Sequence, residues 1–147
     1  PGHVRENYRR FFAAIGADAD SIAMSNQIHS DLVRPVTCAD VKRDLYDVEP
    51  YEVDGLVTDI PGVSLVVFGA DCLPVLFYDP VRRVAAAAHA GWRGTAAGIV
   101  ERAVEKMAFY GCHRTGNLQM LFRDPRGRAQ RHDVGAGRVR HTLYRSH

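Results

Sequence analysis

Phe68-Gly69-Ala70-Asp71-Cys72-Leu73-Pro74-Val75-Leu76, then Val84 to Ala88, then His89-Ala90-Gly91-Trp92-Arg93-Gly94-Thr95 is the stretch on which the reading of this chain turns. It sets a cysteine at the start of one apolar run and a histidine at the end of the next. The runs Cys72 to Tyr78 and Val84 to Ala88 have strand character and are joined through Asp79-Pro80-Val81-Arg82. Proline fixes φ and keeps the residue before it extended, so an Asp-Pro pair favours a turn. A hairpin follows, and it returns the chain so that Cys72 and His89 lie at one end of a sheet. A thiolate and an imidazole brought together there point to a metal site or to a nucleophile.

Working outward, Ser64 to Phe68, Leu73 to Tyr78 and Val84 to Ala88 are apolar at nearly every position, which predicts strands covered on both faces. Thr95 is the expected N-cap of a helix running to about Ala108, with Ile99, Val100, Ala103, Val104 and Met107 as its apolar stripe. Gly91 and Gly94 flank Trp92 in a tight strand-to-helix joint. Toward the N-terminus, Val4, Tyr8, Phe11, Phe12 and Ile15 recur at helical spacing and Gly16 is a plausible stop. Ile22 to Gln27 reads as a short strand leading to His29, and Val53 to Thr58 as another. Residues 37 to 52 are charged and irregular. After Gly111 the periodicity collapses.

The chain of 147 residues fits one domain, and 46% hydrophobic with 24% charged residues describes a globular protein. No apolar run approaches the ~20 residues of a membrane span, which argues against a membrane partner. Three cysteines, Cys38, Cys72 and Cys112, are too few for a disulfide framework, so a reducing, cytoplasmic setting is expected. Of the 19 basic residues only Lys42 and Lys106 are lysine, and eight arginines fall after residue 112 against Asp124 and Asp133. Such a tail could neutralise phosphates. It reads instead as solvated or disordered, and with few aromatics among its arginines it argues against nucleic acid as the partner. The opening Pro1-Gly2, with no methionine, is expected to mark a fragment.

His29, Cys72 and His89 each stand at a strand-to-loop junction beside small or polar neighbours. Two histidines and a cysteine suit a catalytic zinc, which takes three protein ligands and leaves one position open. Separations of 43 and 17 residues match no compact zinc module, so a core role for either histidine, or for Cys72 as a small hydrophobe, stays open. Arg93 and the Gly91 amide could hold an anion such as phosphate. Asp71 and Gln27 could fix imidazole tautomers or handle a proton, although Asp71 could equally cap the turn before Cys72. Cys72 activated by His89 as a covalent nucleophile is a metal-free alternative. Cys38 and Cys112 read as structural, and Trp92 as a packing residue.

Ala70-Asp71-Cys72-Leu73-Pro74-Val75 and His89-Ala90-Gly91-Trp92-Arg93-Gly94-Thr95, preceded by Gln27-Ile28-His29-Ser30 and Asp54-Gly55-Leu56-Val57-Thr58, closely resemble the YfiH-type family. Its members are known as laccase-domain or polyphenol oxidase proteins, purine nucleoside phosphorylases and peptidoglycan editing factors. The resemblance covers residues 1–112, including Val4-Arg5-Glu6-Asn7-Tyr8-Arg9 as the family's helix entry. It implies an α+β fold, mixed β-sheets packed between helices in an α/β/β/α sandwich, incomplete here. The family's N-terminal strands would precede Pro1, and residues 113–147 form a divergent tail with the look of a reading-frame change.

By resemblance the metal ligands are His29, Cys72 and His89, with Zn2+ as the cofactor and copper as the alternative. The catalytic set would be Cys72, His89 and Asp71, with Arg93, Gln27 and Gly91 toward substrate or phosphate. The implied activity is phosphorolysis of purine nucleosides (adenosine, inosine, guanosine, methylthioadenosine), with deamination of adenosine as a second activity, both impaired by truncation. Rival activities are a copper polyphenol oxidase, a peptidoglycan-editing amidase and a nucleic-acid binder built on the tail. Seven histidines, four of them after residue 112, are few for a multicopper cluster. Sheet edges left open by the missing ends would favour a homo-oligomer.

Overall fold

The computed structural model describes residues 2–41, 51–112, 117–123, 128–134 and 140–143. The hairpin read from the sequence is its centre. Strand β5 (Leu73–Asp79) pairs antiparallel with β6 (Val84–Ala90) in the register Leu73↔Ala90, Pro74↔His89 through Asp79↔Val84. The Asp79 carboxylate makes the turn, its Oδ1 accepting the amides of Val81 and Arg82 at 2.9 Å each. Cys72, one residue before β5, therefore lies beside the end of β6 that carries His89.

Seven strands form the main sheet, in the order β2-β3-β6-β5-β7-β8-β9. Strand β2 (Val33–Pro35) is parallel to β3 (Gly55–Thr58), and every other neighbouring pair is antiparallel. One face takes helix α3 (Ile99–Ala108), whose Ile99, Ala103 and Met107 are fully buried against Val57, Val75, Phe77, Ala86 and Ala88. On the other face Leu56 packs with Ala23 and Val36, with Leu65 against them. Ala23 and Leu65 belong to a two-stranded parallel sheet of β1 (Ile22–Ala23) and β4 (Ser64–Leu65). The far side of that small sheet receives Phe12 and Tyr8 of α1 (Gly2–Ala14) onto Ile22 and Met24. The layers run helix, sheet, sheet, helix. This is the α+β sandwich expected from the resemblance.

Three local expectations are corrected. The helix after β6 begins at Trp92, not Thr95: α2 (Trp92–Ala97) has Gly91 as N-cap with no side-chain cap bond, and Gly98 at φ 88° separates it from α3. Glycine reaches that left-handed conformation without strain, so one expected helix becomes two. Second, β5 is covered on one face only, with Leu76 47% and Tyr78 42% exposed. Third, the strands read as Ile22 to Gln27 and Ser64 to Phe68 shorten to two residues each.

Beyond Gly111, β7 (Gln119–Arg123), β8 (Ala129–Asp133) and β9 (Arg140–Leu143) continue the sheet, and Leu118 is fully buried in the core. Parts of the arginine-rich tail thus pair as strands. Pro1, most of the charged segment 37–52, Cys112's neighbour His113 and the arginines at 114, 126, 138 and 145 lie outside the described residues.

Candidate metal centre

His89 is the penultimate residue of β6 and is 4% exposed. Cys72 is half-buried where the chain enters β5, and His29 is exposed on the loop between β1 and β2. One donor atom from each of His29, Cys72 and His89 lies within 4.8 Å of the other two. The two imidazoles meet edge to face with ring centroids 4.8 Å apart. Among the described residues this is the single group of three or more such donors.

Two observations test whether these residues fit a metal ion. The first is their chemistry and spacing: a soft thiolate with two imidazoles suits zinc or copper rather than magnesium or calcium. Zinc–ligand bonds of about 2.0–2.3 Å put tetrahedral donors about 3.3–3.8 Å apart, a small closure from the spacing present. The second is Gly91. A Cβ there would stand 2.9 Å from His29 Cδ2 and 3.0 Å from Cys72 Sγ, so only glycine lets the two side chains converge over this backbone. The residues fit.

The sequence reading missed the residue that ties the site together. Asp54, wholly buried just before β3, has its Oδ1 2.8 Å from His89 Nδ1 and 2.9 Å from the His29 amide. Its Oδ2 accepts the amides of Ile28 and Ser30 and the Ser30 hydroxyl at 3.1, 2.7 and 2.8 Å. Its own carbonyl accepts the His89 amide at 2.7 Å. Burial opposes the charge, but the bonds from His89, from the Ser30 amide and hydroxyl and from the His29 amide outweigh it and hold the carboxyl below the ordinary carboxylate range. His29 takes φ 63°, an unusual conformation for a residue with a side chain, inside the turn that Asp54 clamps. The available signal was an acidic residue placed directly before an apolar strand.

The other expected residues fall in different places. Gln27 gives both ends of its amide to the Phe68 backbone, with Nε2 donating to the carbonyl at 2.8 Å and Oε1 accepting from the amide at 2.7 Å. It joins the His29 loop to the approach to Cys72. Asp71 is exposed and joins none of the hydrogen bonds or ion pairs among the described residues, so holding an imidazole falls to Asp54. Arg93 is exposed beside Trp92, its guanidinium carbon 5.2 Å from the ring centroid. Trp92 is 75% exposed and is not the packing residue expected. Of the other cysteines, Cys38 is exposed, while Cys112 is buried with its thiol pushed up to about 11 by burial and by the Asp79 carboxylate.

The sequence matches the family described as multi-copper polyphenol oxidoreductase laccase over residues 1–122. A Deinococcus radiodurans protein named purine nucleoside phosphorylase is 41% identical over 111 residues, 76% of this chain and 40% of the relative. The crystal structure of Bacillus licheniformis hypothetical protein YfiH superposes with a TM-score of 0.71 at 33% identity, covering 82% of this chain and 46% of that one. YlmD from Geobacillus stearothermophilus superposes with a TM-score of 0.72 at 31% identity, covering 81% and 45%. The chain spans less than half the length of these relatives.

Proposed function

Since this chain belongs to the multi-copper polyphenol oxidoreductase laccase family, we propose that it carries the metal centre of a zinc-dependent purine nucleoside phosphorylase, with adenosine deamination as a second activity. The observation that carries this reading is the convergence of His29, Cys72 and His89 in a chain whose relatives bear that enzyme's name. Zinc held there supplies a Lewis acid toward a phosphate or water oxygen.

The chain's own residues supply binding and orientation. His89 is held from behind by Asp54, and His29 by the clamped turn. The exposed Arg93 guanidinium offsets the charge of phosphate. In phosphorolysis a phosphate oxygen attacks C1′ of the ribose, the C1′–N9 bond breaks, and the purine leaves with the electron pair and takes up a proton. Asp71, exposed next to Cys72, is placed to pass a proton to solvent or substrate. In deamination water adds at C6 and ammonia leaves. All three cysteines are free, which suits a reducing cytoplasm. Among the described residues no helix is long and apolar enough to cross a membrane.

Metal content and phosphate-dependent base release from adenosine and inosine, for the wild type and Cys72→Ala, test this reading. About one zinc per chain, with base release that needs phosphate and disappears in Cys72→Ala, is the expected result. Copper with oxygen consumption on phenols would replace it by the oxidase reading. Zinc without turnover would place substrate recognition outside this chain.

A further inference from the structure

We propose that Asp54 is a positioning residue that holds His89 in the tautomer protonated at Nδ1, with Nε2 free to bind metal, and fixes the His29 turn with the same carboxylate. The inference rests on the metal-site reading above, and it adds which buried group presents both histidines. Five donors converge on Asp54: His89 Nδ1 and the His29 amide on Oδ1, the Ile28 and Ser30 amides and the Ser30 hydroxyl on Oδ2. An ionised carboxylate only accepts, with about four lone-pair sites, so its capacity is filled. Each of the three amides has a fixed proton. A carboxylate oxygen 2.8 Å from His89 Nδ1 therefore requires that nitrogen to donate, and in the neutral imidazole this leaves the lone pair on Nε2. The same oxygen accepts the amide of His29, whose φ of 63° would otherwise relax. One atom thus orients two ligands that are 60 positions apart in the sequence. The Asp54 backbone reinforces this, since its carbonyl accepts the His89 amide and its amide donates to Leu32.

Asp54→Asn separates positioning from mere stability. If the new NH2 sat where Oδ2 sits, it would face two amide donors, Ile28 and Ser30. If it sits where Oδ1 sits, it faces only one, His29, and turns His89 Nδ1 into an acceptor. The second orientation opposes fewer fixed donors, so the proton on His89 moves to Nε2 and blocks the metal-binding nitrogen. The experiment records histidine 15N–1H correlation spectra of the metal-free protein and titrates it with cobalt(II) alone, followed by the visible absorption of the bound ion. The wild type is expected to show His89 protonated at Nδ1. Asp54→Asn is expected to show it at Nε2 and to bind cobalt about 10–100-fold more weakly. Asp40→Asn, a similarly buried carboxylate outside the site, is the control and should leave both readouts unchanged.

A wild-type His89 protonated at Nε2 would overturn the proposal, and this holds even if Asp54→Asn fails to fold. A folded Asp54→Asn that keeps cobalt affinity within about threefold would overturn it as well, since outer partners of metal-bound histidines cost at least tenfold. A wild type that shows the Nδ1 proton but takes up no cobalt would support the positioning by Asp54 and remove the metal reading on which the proposed function stands.

Discussion

Asp40 and Asp54 use one device in two regions of the molecule. Each is a buried carboxylate that accepts backbone amide hydrogen, a hydroxyl and one charged or chargeable side chain. Asp40, in the 3-10 turn Cys38–Asp40, takes the Thr37 amide and hydroxyl at 2.7 and 2.8 Å and Arg34 Nη2 at 3.0 Å. Asp54 takes three amides, one hydroxyl and an imidazole. A guanidinium is charged throughout the working range and offers only donors, so Asp40 fixes a chain path and nothing more. An imidazole keeps a second nitrogen, and what the carboxylate does to one nitrogen decides what the other can bind. The same local motif is structural in one place and sets up chemistry in the other, and the difference lies in the partner.

The largest effect should come from the ligands. Cys72→Ala removes one of three donors and should abolish stoichiometric binding of cobalt or zinc, beyond the ~100-fold that outer partners cost, as read by equilibrium dialysis. Next, truncation of the two carboxylates should separate them. Asp54→Ala orphans three amides and His89, a cost of about 4 kcal/mol in denaturant unfolding, whereas Asp40→Ala should cost about 1–2 kcal/mol. Equal losses would mean that the Asp54 network is no tighter than an ordinary cap. Third, Gly91→Ala should weaken cobalt binding about tenfold with little loss of stability, because the exposed His29 ring can give way and so leaves its place. Unchanged affinity would show that the approach over Gly91 is slack.

The smallest effect concerns pH. Burial works against the Asp40 charge, but the Thr37 amide and hydroxyl and the Arg34 guanidinium outweigh it and hold this carboxyl below its ordinary value. Its folded pKa therefore lies below the unfolded one. The stability it contributes is fully present above about pH 4 and is lost as pH falls through the folded pKa. Thermal melts should show Asp40→Asn about 1 kcal/mol less stable than wild type at pH 6, with the gap closing toward pH 2.5. A gap that stays constant would assign the loss to packing rather than charge.

How far the sequence carried can be read from particular residues. Cys72 and His89 were legible as neighbours because the Asp79-Pro80 turn fixes the hairpin, and a hairpin fixes register. His29 was legible as chemistry but not as geometry, since its approach depends on a left-handed residue and a buried carboxylate 25 positions away. Asp54 was hidden for the same reason: it fell inside the run read as the strand Val53 to Thr58, whereas the strand begins at Gly55 and leaves the carboxylate to clamp a distant loop. An apolar run does not say whether both faces are covered, and Leu76 and Tyr78 show that β5 has an open one. In the arginine-rich segment, strand pairing is made by backbone groups, so β7 and β8 form ladder pairs from Gln119↔Asp133 to Arg123↔Ala129 that side-chain polarity did not announce.

Strand β6 reads Val84-Ala85-Ala86-Ala87-Ala88-His89-Ala90, and all but Ala85 are buried. Methyl groups are the largest side chains that most of it offers, with α3 against one face and Leu56 beside it on the other. Mutational drift is therefore closed in both directions along this strand. A valine would wedge the layers apart, at about 1–3 kcal/mol, and a glycine would loosen the backbone, at about 0.5–1 kcal/mol. The outward positions of β5, Leu76 and Tyr78, can vary in size without meeting a packed layer. In a library of random variants the rungs leading to His89 should be the quietest part of the sheet, and their neighbours across the ladder among the most variable.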